Sequence, residues 1–283
     1  MLAEDSLKNK VVLVTGGGSG LGLSMAQRFA TLGADIAICG RNKDKLQDAV
    51  KSLSAHGTSV RSYQCDVREY DDVGKMVEQI VKDFGKLDSL VNNAAGNFFC
   101  TSEDLTPNGF KTVVDIVLHG TFNCTQHFGK QCIDSGRPGA VISIVTTYIN
   151  TGSAFVLPSA CAKAGVQALT TSLAYEWAPY GIRLNSIAPG PFPTKGAWSR
   201  LMPDGDFEEK FKKRHPMGRF GEPEELAELA SFLLSDSAAY INGECVTIDG
   251  GQQLEGGQFN FIARMMPRKQ LKQLFQAMKA KGA

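Results

Sequence analysis

Apolar and polar positions along the 283-residue chain follow two different periods. Short runs rich in β-branched residues, several of them apolar almost throughout, occur at KVVLVTG (10–16), ADIAICG (34–40), SVRSYQCDV (59–67), LDSLVNNA (87–94), GAVISIV (139–145), IRLNSIAPG (182–190) and ECVTIDGG (244–251). Between them lie longer stretches with helical periodicity, near 21–32, 43–54, 71–84, 107–132, 160–178 and 223–234. In the first of these, Leu21, Met25, Phe29 and Leu32 share one helical face and Gly33 supplies a C-terminal stop. A strand that is apolar on both faces has no solvent side, so these runs belong in a parallel sheet covered by helices above and below. The pattern predicts a single domain of doubly wound α/β architecture, whose ligands sit beyond the carboxyl ends of the strands.

Two segments break the rhythm. The stretch 191–221 mixes Pro, Gly and charges of both signs, and its length suits a substrate loop or lid. After Gly251 comes an extension, 252–283, ending in RMMPRKQLKQLFQAMKAKGA. There Leu271, Leu274, Phe275 and Met278 fall on one helical face, which is expected to pack on the body or on a neighbouring subunit.

Composition narrows the function classes. A net charge of +1 gives no field to draw the chain to nucleic acid. No apolar run reaches about 18 residues, so no membrane span is expected. The seven Cys show no C-x-x-C spacing and mostly sit in apolar runs, which predicts buried, reduced thiols inside a cell. The four His form no ligand cluster, and no metal site is expected. The first residues resemble no secretory signal and the last do not read S-K-L. A cytoplasmic protein is expected, with the mitochondrial matrix as the alternative where a transit peptide precedes the chain.

The candidate chemistry begins at VTGGGSGLG (14–22), which follows the first strand and opens the first helix. Gly16, Gly20 and Gly22 stand in a T-G-x-x-x-G-x-G spacing that permits a tight turn and lets backbone N–H groups approach a pyrophosphate. At the end of the second strand, where an acidic side chain would hold a ribose 2′-hydroxyl, no acid occurs from Cys39 to Asn42. Arg41 stands there instead, and a guanidinium matches the 2′-phosphate of NADPH, with Lys43 placed to assist. A solvated turn is the alternative reading of the same residues.

With CDV (65–67) and NNAAG (92–96) at the next strand ends, the chain resembles the short-chain dehydrogenase/reductase family over about residues 8–251. The resemblance implies a Rossmann-type sheet and a cofactor lying on Gly16, Ser19, Gly20, Leu21 and Gly22. It implies Asp66 and Val67 beside the adenine, and Asn92 to Gly96, including Asn93 and Ala94, along the cofactor backbone. Lys163 would bind the nicotinamide ribose, and Pro189, Gly190 and Thr194 would hold the carboxamide end. It also implies a homotetramer.

The family's helix normally carries Tyr-x-x-x-Lys, a phenol one turn before an ammonium that lowers its pKa. In TTYINTGSAFVLPSACAKAGVQAL (146–169), Lys163 is present but Ser159 occupies the tyrosine's place. A serine hydroxyl is too weakly acidic to replace it. Val117 also stands where family members carry a helix Asn. Tyr148, just past the fifth strand, is the candidate replacement, reaching the same substrate atom from a loop. The alternative for Tyr148 is an aromatic that merely caps the strand end.

Together with Asn97 of NNAAGNF, these residues resemble the 2,4-dienoyl-CoA reductase subfamily, particularly its mitochondrial type. That resemblance implies Tyr148, Asn97, Ser159 and Lys163 as the catalytic set. Hydride delivery to a conjugated thioester pushes charge onto the thioester oxygen, so the site needs donors aimed at an oxyanion rather than a strong proton relay. Phe98 and Phe99 are candidates for an acyl wall, and Lys195 and Arg200 for the phosphates of a fatty acyl-CoA. The alternatives are another reductase of the same family acting on acyl thioesters or ketones, and a noncatalytic nucleotide-binding protein.

Overall fold

The computed structural model describes residues 2–194 and 206–282. Seven strands form one parallel sheet: β1 (Val11–Thr15), β2 (Asp35–Gly40), β3 (Val60–Gln64), β4 (Ser89–Asn92), β5 (Gly139–Ile144), β6 (Ile182–Pro189) and β7 (Cys245–Ile248). Their order is β3-β2-β1-β4-β5-β6-β7. The chain winds outward from β1 to β3, then returns to place β4 on the other side of β1. That reversal opens a crevice beyond the carboxyl ends of β1 and β4, where a ligand can enter between diverging connections.

The helices are α1 (Gly20–Thr31), α2 (Lys43–Ser54), α3 (Tyr70–Phe84), α4 (Pro107–Val114), α5 (Gly120–Ser135), α6 (Tyr148–Thr151), α7 (Leu157–Glu176), α8 (Phe207–Arg214), α9 (Pro223–Leu234) and α10 (Arg268–Gly282). The pleat of β1 explains the continuous apolar runs. Val12 and Val14 enter one core with Met25 and Phe29 of α1 and Leu226 and Leu233 of α9. Val11 and Leu13 enter the opposite core with Val77 and Ile80 of α3 and Phe128 of α5. Both faces of the strand are therefore buried, as an apolar run without alternation requires.

Several expectations change. The helical stretch predicted at 107–132 is divided, because Asp115–His119 forms a π-helical turn between α4 and α5. Val117 sits in that turn, fully buried among Val113, Val145, Ala162 and Val166. The segment 191–221 contains α8, and a Gly221 N–H to Pro191 carbonyl bond of 3.1 Å draws its two ends together. Among the cysteines, Cys39, Cys65, Cys124 and Cys132 are buried, but Cys161 is exposed because α7 turns it away from the sheet. The tail does form a helix, yet of its apolar face only Leu271 is buried; Leu274, Phe275 and Met278 stay exposed.

Candidate active site

The crevice beyond β1 and β4 is a cavity of about 870 Å³ running from the start of α2 to α7. At its floor the glycine turn joins β1 to α1. Gly16 adopts φ +66°, and a Cβ at Gly22 would lie 2.5 Å from both the Asn93 amide nitrogen and the Gly16 carbonyl. Only glycine lets the turn, α1 and the β4 end approach this closely. Thr15, the first residue of the motif, ties them together. Its Oγ1 accepts from the backbone N–H groups of Asn93 and Ala94, both at 2.9 Å, and Asn93 Nδ2 donates to the Thr15 carbonyl at 2.9 Å.

At one end Arg41 and Asn42 line the cavity together with Lys45. Asn42 caps α2, its side chain accepting from Lys45 N at 2.9 Å. Lys45, not the expected Lys43, is the second cation here: residues two apart on a helix point about 200° apart, so one of the pair must turn away. Asp66 and Val67 follow on the next rim. The Arg68 guanidinium hydrogen-bonds Asp66, Nε to Oδ1 at 3.0 Å, and that bond is the first cause holding the carboxyl below its usual range. Asn123 of α5 anchors the same turn by donating to the Val67 carbonyl at 2.9 Å.

The other end carries the polar cluster. Tyr148 stands on the first position of α6, a single turn closed by Gly152 N–H to the Tyr148 carbonyl at 2.9 Å. It is therefore set on a short helical turn and not on the open loop expected. Its hydroxyl lies 3.0 Å from Ser159 Oγ. Ser159 and Lys163 are both buried on α7, one turn apart. The phenol of Tyr148 thus meets the side chain that stands one turn before Lys163 on α7. Lys163 Nζ donates to the Ile144 carbonyl at the end of β5, and burial lowers its pKa to about 8. Asn97 also lines the cavity, and its Oδ1 accepts from Phe98 N at 2.9 Å. With the amide oxygen so used, it is the amide N–H groups that can donate to a ligand.

Most expected residues meet here. Gly16, Ser19, Gly20, Leu21, Arg41, Asp66, Val67, Asn93, Ala94, Asn97, Tyr148, Ser159, Lys163 and Thr194 all line the one cavity. Gly22 acts from behind it, through the close approach just described. Asn92 does not line it: the side chain is buried and donates to Thr125 Oγ1 at 2.9 Å. Pro189 ends β6 and Gly190 follows it beside β7, with Gly190 N–H bonded to the Ile248 carbonyl at 2.9 Å, and Phe192 lines the cavity in their place. Phe98 stands exposed outside the cavity, and Lys195 and Arg200 lie outside the described residues.

Comparison with known proteins shows the family. A family model described as enoyl-(acyl carrier protein) reductase matches residues 16–253. The solved structure of a short chain dehydrogenase from Bacillus anthracis is 47% identical, with a TM-score of 0.80, covering 88% of this chain and 98% of that one. The chain belongs to the short-chain dehydrogenase/reductase family. Within that family, a gluconate 5-dehydrogenase from Burkholderia cenocepacia, solved with NADP and tartrate, is 31% identical with a TM-score of 0.83, covering 89% of this chain and 98% of that one. A Bacillus subtilis protein named "probable 2,4-dienoyl-CoA reductase [(2E)-enoyl-CoA-producing]" is 46% identical over 88% of this chain and 98% of its own length.

Proposed function

We propose that the protein is an NADPH-dependent 2,4-dienoyl-CoA reductase, which reduces a conjugated fatty acyl thioester to an enoyl-CoA during breakdown of unsaturated fatty acids. The observation that carries this reading is the Tyr148 hydroxyl at Ser159, beside Lys163, where the family's helix tyrosine is missing. The name of the Bacillus subtilis relative supports it.

The residues fit the cofactor. Gly16 and Gly22 keep open a cradle that a Cβ would fill, and Arg41 with Lys45 offers two cations to a 2′-phosphate. When bound, NADPH supplies a hydride, which with one proton from solvent converts the dienoyl thioester to the enoyl product. Lys163 holds the nicotinamide ribose, and its ammonium adds positive potential to the cleft. Tyr148 and Asn97 donate hydrogen bonds to the thioester oxygen as charge moves onto it. Ser159 keeps the phenol aimed through its own hydroxyl. Such donors stabilise the transition state more than the ground state, because the charge they meet exists only there.

Lys195, Arg200 and the homotetramer belong to the same proposal: the charges of the two cations suit the CoA phosphates, and the assembly covers Leu274, Phe275 and Met278. The test of the function is an NADPH-oxidation assay with 2,4-hexadienoyl-CoA and with a 3-ketoacyl-CoA. Turnover of the first alone is expected. Turnover of the ketoacyl thioester, with none of the dienoyl, favours a carbonyl reductase instead.

A further inference from the structure

Past Asn97 and Ser159, where the lining of the cleft ends, two loops are joined by a single backbone bond. Cys100 N–H donates to the Phe155 carbonyl at 2.9 Å. Phe155 holds φ +67°. Two other non-glycine residues share the left-handed region among the described residues, Asp5 and Asn9, whose short polar side chains tolerate it. A phenylalanine there is strained and gains little from burial in return, since it is 57% exposed. Through the Cys100 bond the loop that carries Phe98 and Phe99 lies beside it, and Phe98, Phe99 and Leu157 are also exposed. Neither backbone preference nor core packing explains an aromatic side chain at this position.

We propose that Phe155 is a specificity-determining residue that, with Phe98 and Phe99, receives the acyl chain beyond the reacting double bonds. The inference rests on the acyl-CoA reading above. Asn97 immediately precedes Phe98 and Phe99, and Ser159 lies four residues after Phe155. With the thioester oxygen held by Asn97 and Tyr148, the hydrocarbon leaves the cleft along the rim that these two joined loops form. The strained turn, pinned by Cys100, presents the ring to that path. The ring contributes apolar contact that grows with chain length and is absent for the shortest substrates.

The test uses Phe155→Gly and Phe155→Leu in the full chain, with hexanoyl-CoA and decanoyl-CoA titrated by calorimetry into the protein with NADP⁺ present. Glycine removes the ring and also the strain, so the melting temperature of Phe155→Gly should not fall. The wild type is expected to bind the longer chain more tightly by about tenfold or more. Phe155→Gly should shrink that ratio by at least about threefold, and Phe155→Leu should keep most of it. An unaltered ratio in Phe155→Gly overturns the proposal, as does an equal loss of both affinities. A changed assembly mass with an unaltered ratio also overturns it and assigns the ring to contact with a second copy. Because binding is read without turnover, a protein inactive on hexadienoyl-CoA would sink the reductase reading while the affinity ratio still decides this one.

Discussion

Lys163 concentrates the electrostatics of the site in one atom. Burial lowers its pKa from 10.5 to about 8, because the low-dielectric cleft disfavours the ammonium. Between these two values the unfolded chain binds the proton and the folded chain does not. This group therefore opposes folding below about pH 8, and that cost is relieved as pH rises toward 10.5. Function runs the other way, since the charged form is the useful one. The kcat/KM profile of the free enzyme should turn down near pH 8, and a profile flat to pH 10 would remove the ammonium from the mechanism. Arg41 makes a separate prediction. Arg41→Asp replaces a guanidinium that donates to phosphate by a carboxylate that repels phosphate and suits a 2′-hydroxyl, so NADPH affinity should fall far more than NADH affinity when both are titrated. Equal losses would take Arg41 out of cofactor discrimination.

At the scale of elements, α9 shows what makes a helix legible. It opens with Glu222 as N-cap, Pro223 in its first turn and Glu225 completing a capping box, its carboxylate accepting from Glu222 N at 2.9 Å. Arg219 adds a fork to the same carboxylate, both arms at 2.7 Å, and pushes its pKa down to about 2. Glu225→Ala should therefore cost about 1 kcal/mol, a drop of about 2 °C in melting temperature, with kcat unchanged. The bounds of α9 and of α2 were readable because caps and prolines write them into the chain. The π-helical turn at Asp115–His119 was not, since a shift of hydrogen bonds from i+4 to i+5 leaves the apolar spacing almost unaltered. The helix α8 was hidden by its charge: FEEKFKKR has too few apolar positions to show a face. In the site, glycines and strand ends announced themselves, whereas Lys45 acts through the rotation at which α2 happens to start, and the bonds from Thr15 to the β4 end depend on a strand pairing that no motif records.

Over the whole molecule, the parallel sheet does two things at once. It buries β1 on both faces, and it brings the glycine turn, the β4 end and the α6 turn to one edge, so that residues over a hundred apart in sequence line one cavity. The tail from 252 onward lies almost wholly beyond the matched family region, and it is tied to α8 by an Arg214–Glu255 ion pair of 3.2 Å. Exposed ion pairs of this kind contribute little to stability, so the tail's position follows mainly from Leu271. The proposed reduction turns on the hydroxyl oxygen of Tyr148. The most direct test is the steady-state rate of 2,4-hexadienoyl-CoA reduction by Tyr148→Phe, with NADPH affinity measured alongside. A fall in kcat of about 10²–10³ with NADPH affinity retained is the predicted result. A variant that turns over like the wild type would contradict it.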